Sequence, residues 1–292
     1  MLLSWQTAWK MAAVLLVVAL SVRRVRKPWI APTVATTKEL SLVLALYGLW
    51  QYAHDLAINK TAGAMEHARW LWNLERSMHL PSEVSLQQAL LHRKLVMQFL
   101  NIYYAGMHVP AVGIMLIWLF FRHRDRYARV RTSLALMIGG CLTIQMIPMA
   151  PPRFLPELGF VDSALLYGQS VYGRGGSGLS NQVAAMPSQH VGWSLVVGIA
   201  VVTISTSRWR WLALLHPILT VLAVTATANH WWLDGVVAGI VLGLAYCSQL
   251  AVAAIKVRVW PPAVPVAIGD TEAARGEDTQ AQGALVNVPQ RA

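Results

Sequence analysis

Seven stretches of this chain are apolar over lengths that match the ~30 Å hydrocarbon core of a bilayer: residues 3–22, 40–58, 95–121, 132–149, 190–206, 212–229 and 233–255. In hydrocarbon each backbone N–H and C=O needs a partner, and a helix supplies one within the segment. The pattern predicts an all-α fold, a polytopic membrane helix bundle of about six to seven transmembrane helices. Composition agrees. Of 292 residues, 56% are hydrophobic and 13% charged, whereas a soluble domain carries about 25% charged residues. An ordinary soluble enzyme is excluded.

The 24 Lys and Arg outnumber the 13 Asp and Glu, for a formal net charge of +11. Their placement argues against a nucleic-acid partner, because the cations sit in short segments flanking the apolar runs and read as topology signals. Arg23, Arg24, Arg26 and Lys27 follow the first run, the reverse of a cleavable secretory signal, so residues 1–38 read as a retained anchor with a basic cytoplasmic segment. With seven spans, Arg122, Arg124, Arg126, Arg129 and Arg131, then Arg208 and Arg210, then Lys256 and Arg258 share one side. The positive-inside rule makes that side cytoplasmic, as in a bacterial-type plasma membrane.

Residues 39–256 are then the polytopic domain. Residues 257–292, with Pro261, Pro262, Pro265 and four acids, read as a disordered cytoplasmic tail. The outward segments are 59–94, 150–189 and the turn near 230. Residues 59–94 mix Trp70, Leu71, Trp72, Leu74 and Leu80 with Glu66, Arg69, Glu75 and Arg76. That mixture suits an interfacial helical segment, and equally a connecting loop. Cys141 and Cys247 both fall in apolar runs, which excludes a disulfide framework or thiolate zinc cluster and leaves packing roles.

Outside the tail, Asp55 and Asp234 are the acids within or at the end of an apolar run, where a carboxylate is costly and therefore a candidate for function. Asp55 follows His54, and a structural role suits that pair. Asp234 stands in Asn229-His230-Trp231-Trp232-Leu233-Asp234. The four-residue spacing puts His230 and Asp234 on one helix face, where a carboxylate can hold the Nδ1 proton and free Nε2 as a nucleophile or base. A satisfied polar contact has the same spacing.

Met186-Pro187-Ser188-Gln189-His190 opens the fifth run. Proline there suits a helix start, whose free amides together with Ser188 can seat a phosphate beside His190. Ala150-Pro151-Pro152-Arg153-Phe154 ends the fourth run, and the fork of Arg153 matches phosphate oxygens. Within the third run, Tyr104 and His108 stand one turn apart. They are candidates for lining a headgroup cavity, with interhelical hydrogen bonding as the alternative. His216, before Pro217, reads as structural.

An arginine, then P-S-x-H, then N-H-x-x-x-D is an order that resembles the phosphatidic acid phosphatase type 2 superfamily over roughly residues 95–250, and most closely its inositol phosphorylceramide synthase-related, inositolphosphotransferase-like branch. The resemblance implies that His230 attacks phosphorus to give a phosphohistidine, Asp234 orients His230, and His190 protonates the leaving oxygen. Arg153, Ser188 and the amides near Gln189 would stabilise the transition state. No metal and no cofactor are implied. The partners are a membrane lipid phosphate, either a phospholipid or a polyisoprenyl phosphate, and an acceptor that is water or an alcohol. The site would face the extracytoplasmic side, and oligomeric state is open. The chain departs from the hydrolases of that superfamily at Gln189, where they have glycine, at Met146, where they have lysine, and at Val224, where they have arginine. Arg174 is the candidate to replace the missing cations.

Two rival classes remain. Gly175-Gly176-Ser177-Gly178 fits a rhomboid-type G-x-S-G, but the residues after Ser177 are polar rather than the start of an apolar helix. A transporter or non-catalytic scaffold also carries buried His and Asp, yet no matching halves are evident in this sequence.

Overall fold

A computed structural model of the protein describes residues 3–24, 27–57, 61–170 and 183–259. Its elements are helices α1 (Trp5–Val22), α2 (Ala31–Ala57), α3 (Ala64–Ser77), α4 (Glu83–Leu91), α5 (Lys94–Gly106), α6 (His108–Arg122), α7 (Arg124–Ile144), α8 (Ser163–Leu166), α9 (Gln189–Ile204), α10 (Leu215–Ala226) and α11 (Trp232–Val259), with short 3-10 turns between them. Among the described residues there is no strand, only an isolated parallel bridge between Met149 and Ala184. The chain divides into Met1–Gln249, which carries everything discussed below, and Leu250–Ala292, whose described part is the C-terminal end of α11.

The all-helical expectation holds, whereas the count of six to seven spans is not carried by these helices. Among the described residues, three segments are long and apolar enough to cross a bilayer, namely α1, residues 208–226 (a 3-10 turn running into α10) and α11; a fourth arises if α5 and α6, bent by 50° at their junction, count as one span. The other runs fall short for visible reasons. α9 has 16 residues, about 24 Å at 1.5 Å per residue, under the ~30 Å of a hydrocarbon core. α7 spends its first turns on Arg124, Asp125, Arg126, Arg129 and Arg131, and α2 is diluted by Lys38, Glu39, Gln51, His54 and Asp55.

α1 and α2 form a hairpin held by Ser41 Oγ donating to Ala12 O (2.7 Å) and Trp9 Nε1 donating to Ala45 O (3.2 Å). Gly48 makes the approach possible: a Cβ there would lie 2.5 Å from the Trp9 ring. α9 is the central helix, packed on α6, α7 and α10. Its Gly192 leaves room for Met137, whose sulfur would sit 2.7 Å from an added Cβ. Met115, Leu119, Met137, Cys141, Val196 and Val241 fill the core among these helices and α11.

A second core, around Ala68, Leu71, Leu155, Phe160 and Trp231, joins α3 to the loops that carry the site. The interfacial expectation for residues 59–94 therefore resolves into two helices, α3 and α4, docked on those loops. Trp70 is exposed while Leu71 is buried, as an amphipathic helix requires. In the third run, the break between α5 and α6 interrupts what the sequence presents as one span, and His108 Nδ1 lies 3.2 Å from Tyr104 O, giving the backbone at the break a partner.

Candidate active site

Three chain segments meet where α7 ends, where α9 begins and where α10 turns into α11. Backbone bonds join them to one another and to the start of α3. Met149 N–H donates to Val183 O (2.7 Å), Ala185 N–H to Met149 O (3.0 Å), Ala150 N–H to Ala64 O (3.1 Å), Arg153 N–H to Ala228 O (2.9 Å) and Ser188 N–H to Asp234 O (3.1 Å). Ala228 takes a left-handed φ of 54°, unusual for a residue with a Cβ. The turn it makes is fixed by Val224 O, which accepts from both Asn229 N–H (2.9 Å) and His230 N–H (3.1 Å).

His230 and Asp234 stand together as their spacing predicts. His230 Nδ1 lies 3.1 Å from Asp234 Oδ2 and 2.8 Å from Ala185 O. A carbonyl can only accept, so the proton belongs on Nδ1 and Nε2 carries the lone pair. Asp234 is fully buried, and its Oδ2 also accepts Trp231 N–H at 3.0 Å. His230 Nε2 faces His190 Nδ1 at 3.4 Å. His190 in turn lies against Tyr104, with ring centroids 4.5 Å apart, and against His108 at 4.8 Å.

Ser188, fully buried, caps α9: its Oγ accepts Val191 N–H at 3.3 Å. The Gln189 side chain is engaged elsewhere, accepting from Trp50 Nε1 (3.0 Å) and donating to Gln145 Oε1 (3.2 Å). Arg153 is buried; its Nη1 donates to Asn229 Oδ1 and its Nε lies 3.6 Å from Asp162 Oδ2. Arg153, Asn229, Tyr104, Asn101, Asp162 and Gln169 line a narrow cleft beside the histidines.

His108 does not line that cleft. It is buried behind His190, with Nε2 3.2 Å from Thr220 Oγ1, part of a polar group that also holds Tyr103 and His216, 2.5 Å apart. The structural reading of His216 matches this placement. Asp55 is exposed. Arg174 and Ser177 lie outside the described residues. Among the described residues, no group of three or more His, Cys, Asp or Glu side chains is disposed to hold a metal ion.

The PAP2 superfamily's model matches residues 69–248, which is 180 of 292 residues. The chain belongs to the PAP2 superfamily. Membership supports a phosphatase-type enzyme, a phosphatase or phosphotransferase with membrane helices, and the matched range contains every histidine, acid and arginine of the site just described. No curated protein and no solved structure gives a match.

Sequence reasoning missed Asn229, although it adjoins His230 in the quoted motif. It also missed Ala185, whose contribution is a carbonyl and leaves no signal in a side chain. Asp162 and the buried Glu75 and Glu83 were hidden among loop and interfacial residues.

Proposed function

We propose that this PAP2 enzyme transfers the phosphoryl or phosphodiester group of a membrane lipid, a phospholipid or a polyisoprenyl phosphate, through a phosphohistidine at His230. The observation that carries the reading is the doubly held Nδ1 of His230, which leaves the Nε2 lone pair turned toward His190.

In the first half-reaction Nε2 attacks phosphorus, an N–P bond forms, and the bond to the leaving oxygen breaks as His190 gives that oxygen a proton. In the second half-reaction water or an alcohol attacks, its proton passes to His190, and the N–P bond breaks to restore the Nε2 lone pair. Asp234 offsets the positive charge that develops on His230. Arg153, the Ser188 hydroxyl and the free amides at the start of α9 would hold the equatorial oxygens. These steps need no metal. A near-attack phosphorus sits about 3–3.5 Å from its nucleophile, so the 3.4 Å between Nε2 and His190 Nδ1 must open to admit it. Binding then moves the His190 ring.

The inositolphosphotransferase-like branch suits the uncharged Met146 and Val224 and the occupied Gln189 side chain, since transfer to an alcohol and hydrolysis differ only in the second attacker. An extracytoplasmic site is supported by its position at the C-terminal end of α7 and the N-terminal ends of α9 and α11, whereas the Arg-rich start of α7 and Arg208 and Arg210 lie at the opposite helix ends.

The test incubates purified protein with lipid phosphates and phosphodiesters, with and without alcohol acceptors, and identifies products by mass spectrometry. His230→Ala should abolish turnover and an acid-labile, base-stable phosphoenzyme. Turnover at the wild-type rate in that variant overturns the mechanism.

A further inference from the structure

Two glutamates outside the reacting set lie wholly buried beside it. Glu75, near the end of α3, and Glu83, at the start of α4, are both 0% exposed. Carboxyls in such positions persist only when their oxygens are satisfied. Glu75 Oε1 accepts the N–H of Leu233 at 2.8 Å, one of the first-turn donors of α11 that the helix itself cannot pair. Leu233 immediately precedes Asp234. Glu83 Oε2 accepts from Arg76 Nη2 at 3.0 Å.

The remaining oxygens, Glu75 Oε2 and Glu83 Oε1, are both buried with no hydrogen-bond partner among the described residues, and the Glu83 carboxyl is close enough to act on that of Glu75. Two carboxylate oxygens bond only through a proton, and a single proton satisfies both. Because Arg76 pairs with Glu83, the proton belongs on Glu75. The charged groups facing this pair are Arg76 from α3 and Asp234 from α11, with His230 beyond Asp234.

We infer that Glu75, as a neutral acid donating to Glu83 and accepting from Leu233, is a positioning residue that fixes the first turn of α11 and so sets Asp234 against His230. The inference rests on the phosphohistidine reading above. Burial, then the hydrogen bond to Glu83, then the charges of Glu83 and Asp234 lift the Glu75 pKa from 4.5 to about 9, against the opposing pull of the Leu233 N–H. Removing the proton places a second negative charge in the pair and beside Asp234, and repulsion displaces the turn.

The consequence for pH has a definite sign. Between 4.5 and about 9 the folded protein keeps a proton on Glu75 that the unfolded chain has released. Stability contributed by this group therefore falls as pH rises through that window and is level above it. Activity that needs the proton is lost as pH rises through about 9.

The experiment uses the full-length protein in detergent, with kcat against pH and melting temperature against pH for wild type, Glu75→Gln and Glu75→Ala. Glutamine keeps both roles, accepting from Leu233 and donating to Glu83. At pH 7 Glu75→Gln should stay within about threefold of wild type in kcat while Glu75→Ala falls about tenfold or more, the scale of one lost hydrogen bond to a charged group. Wild-type kcat should drop above pH 9, and Glu75→Gln should lack that drop. The melting temperature of Glu75→Gln relative to wild type should climb from pH 5 to 9 and then stay constant.

Equal damage by glutamine and alanine, an alkaline drop that persists in Glu75→Gln, or a wild-type rate in Glu75→Ala would each overturn the positioning role. A wild type that turns over no lipid phosphate instead sinks the phosphohistidine reading. That outcome is told apart because the pH-dependent melting difference remains.

Discussion

Asp234→Asn separates the two jobs of the buried acid, holding the tautomer of His230 and supplying negative charge. In a Ser-His-Asp triad, asparagine in place of the acid permits the wrong tautomer and costs about 10⁴ in kcat. Here the 2.8 Å bond to Ala185 O requires a proton on Nδ1 whatever occupies position 234, so that route is closed. What is lost is the charge. A charge-assisted hydrogen bond contributes about 1.5–3 kcal/mol against about 0.5–1.5 for a neutral one. The loss is the difference between the two, and with the full burial of Asp234 weighting the upper end it is expected at about 1–2.5 kcal/mol, roughly 5- to 70-fold in kcat. KM should barely move, because the interaction strengthens as His230 becomes cationic. Steady-state phosphate release from a short-chain lipid phosphate in detergent measures both constants. A kcat within twofold of wild type would refute a role for the charge, and a loss near 10⁴ would refute tautomer control by the Ala185 carbonyl.

His190→Ala should slow transfer most for poor leaving groups, so that the rate ratio between an aryl and an alkyl phosphate widens about tenfold or more; equal losses for both would remove His190 from the protonation step. Arg153→Lys keeps charge but not the fork that reaches Asn229 and Asp162, and should raise both KM and the inhibition constant of inorganic phosphate about tenfold. An unchanged inhibition constant would take Arg153 out of the phosphate seat. In a Cys247→Ser background, a membrane-impermeant maleimide on intact cells should label Met78→Cys, on the exposed end of α3, but not Ala128→Cys, on the Arg-rich start of α7. The reverse pattern would place the site on the cytoplasmic side.

Much of the site was legible because its chemistry is written in side chains at helical spacings. The His230 to Asp234 interval, the P-S-x-H at the start of α9 and the arginine after the two prolines each name a residue that the fold brings to one place. Hydropathy marked the apolar runs equally well, yet it averages over residues and so misses a break. The third run reads as continuous through Gly106 and His108, where the chain bends by 50°. Nor does an apolar run fix helix length, since the run 190–206 yields a helix of 16 residues. Glu75 and Glu83 were invisible as a pair because seven residues, including a turn, lie between them. Only the fold shows that both are buried, Glu75 against the start of α11.

The backbone bonds that join the three site segments leave a different mark on what sequences this fold can accept. Met149, Ala150, Arg153, Ala185 and Ser188 each contribute a main-chain N–H, which every amino acid but proline can supply. Prolines nonetheless crowd these loops, at positions 148, 151, 152, 156 and 187, flanking the donors or between them and never on one. Met149, Ala150 and Ala185 are also buried in the core around Trp231, so a replacement there must fit the packing and must not be proline.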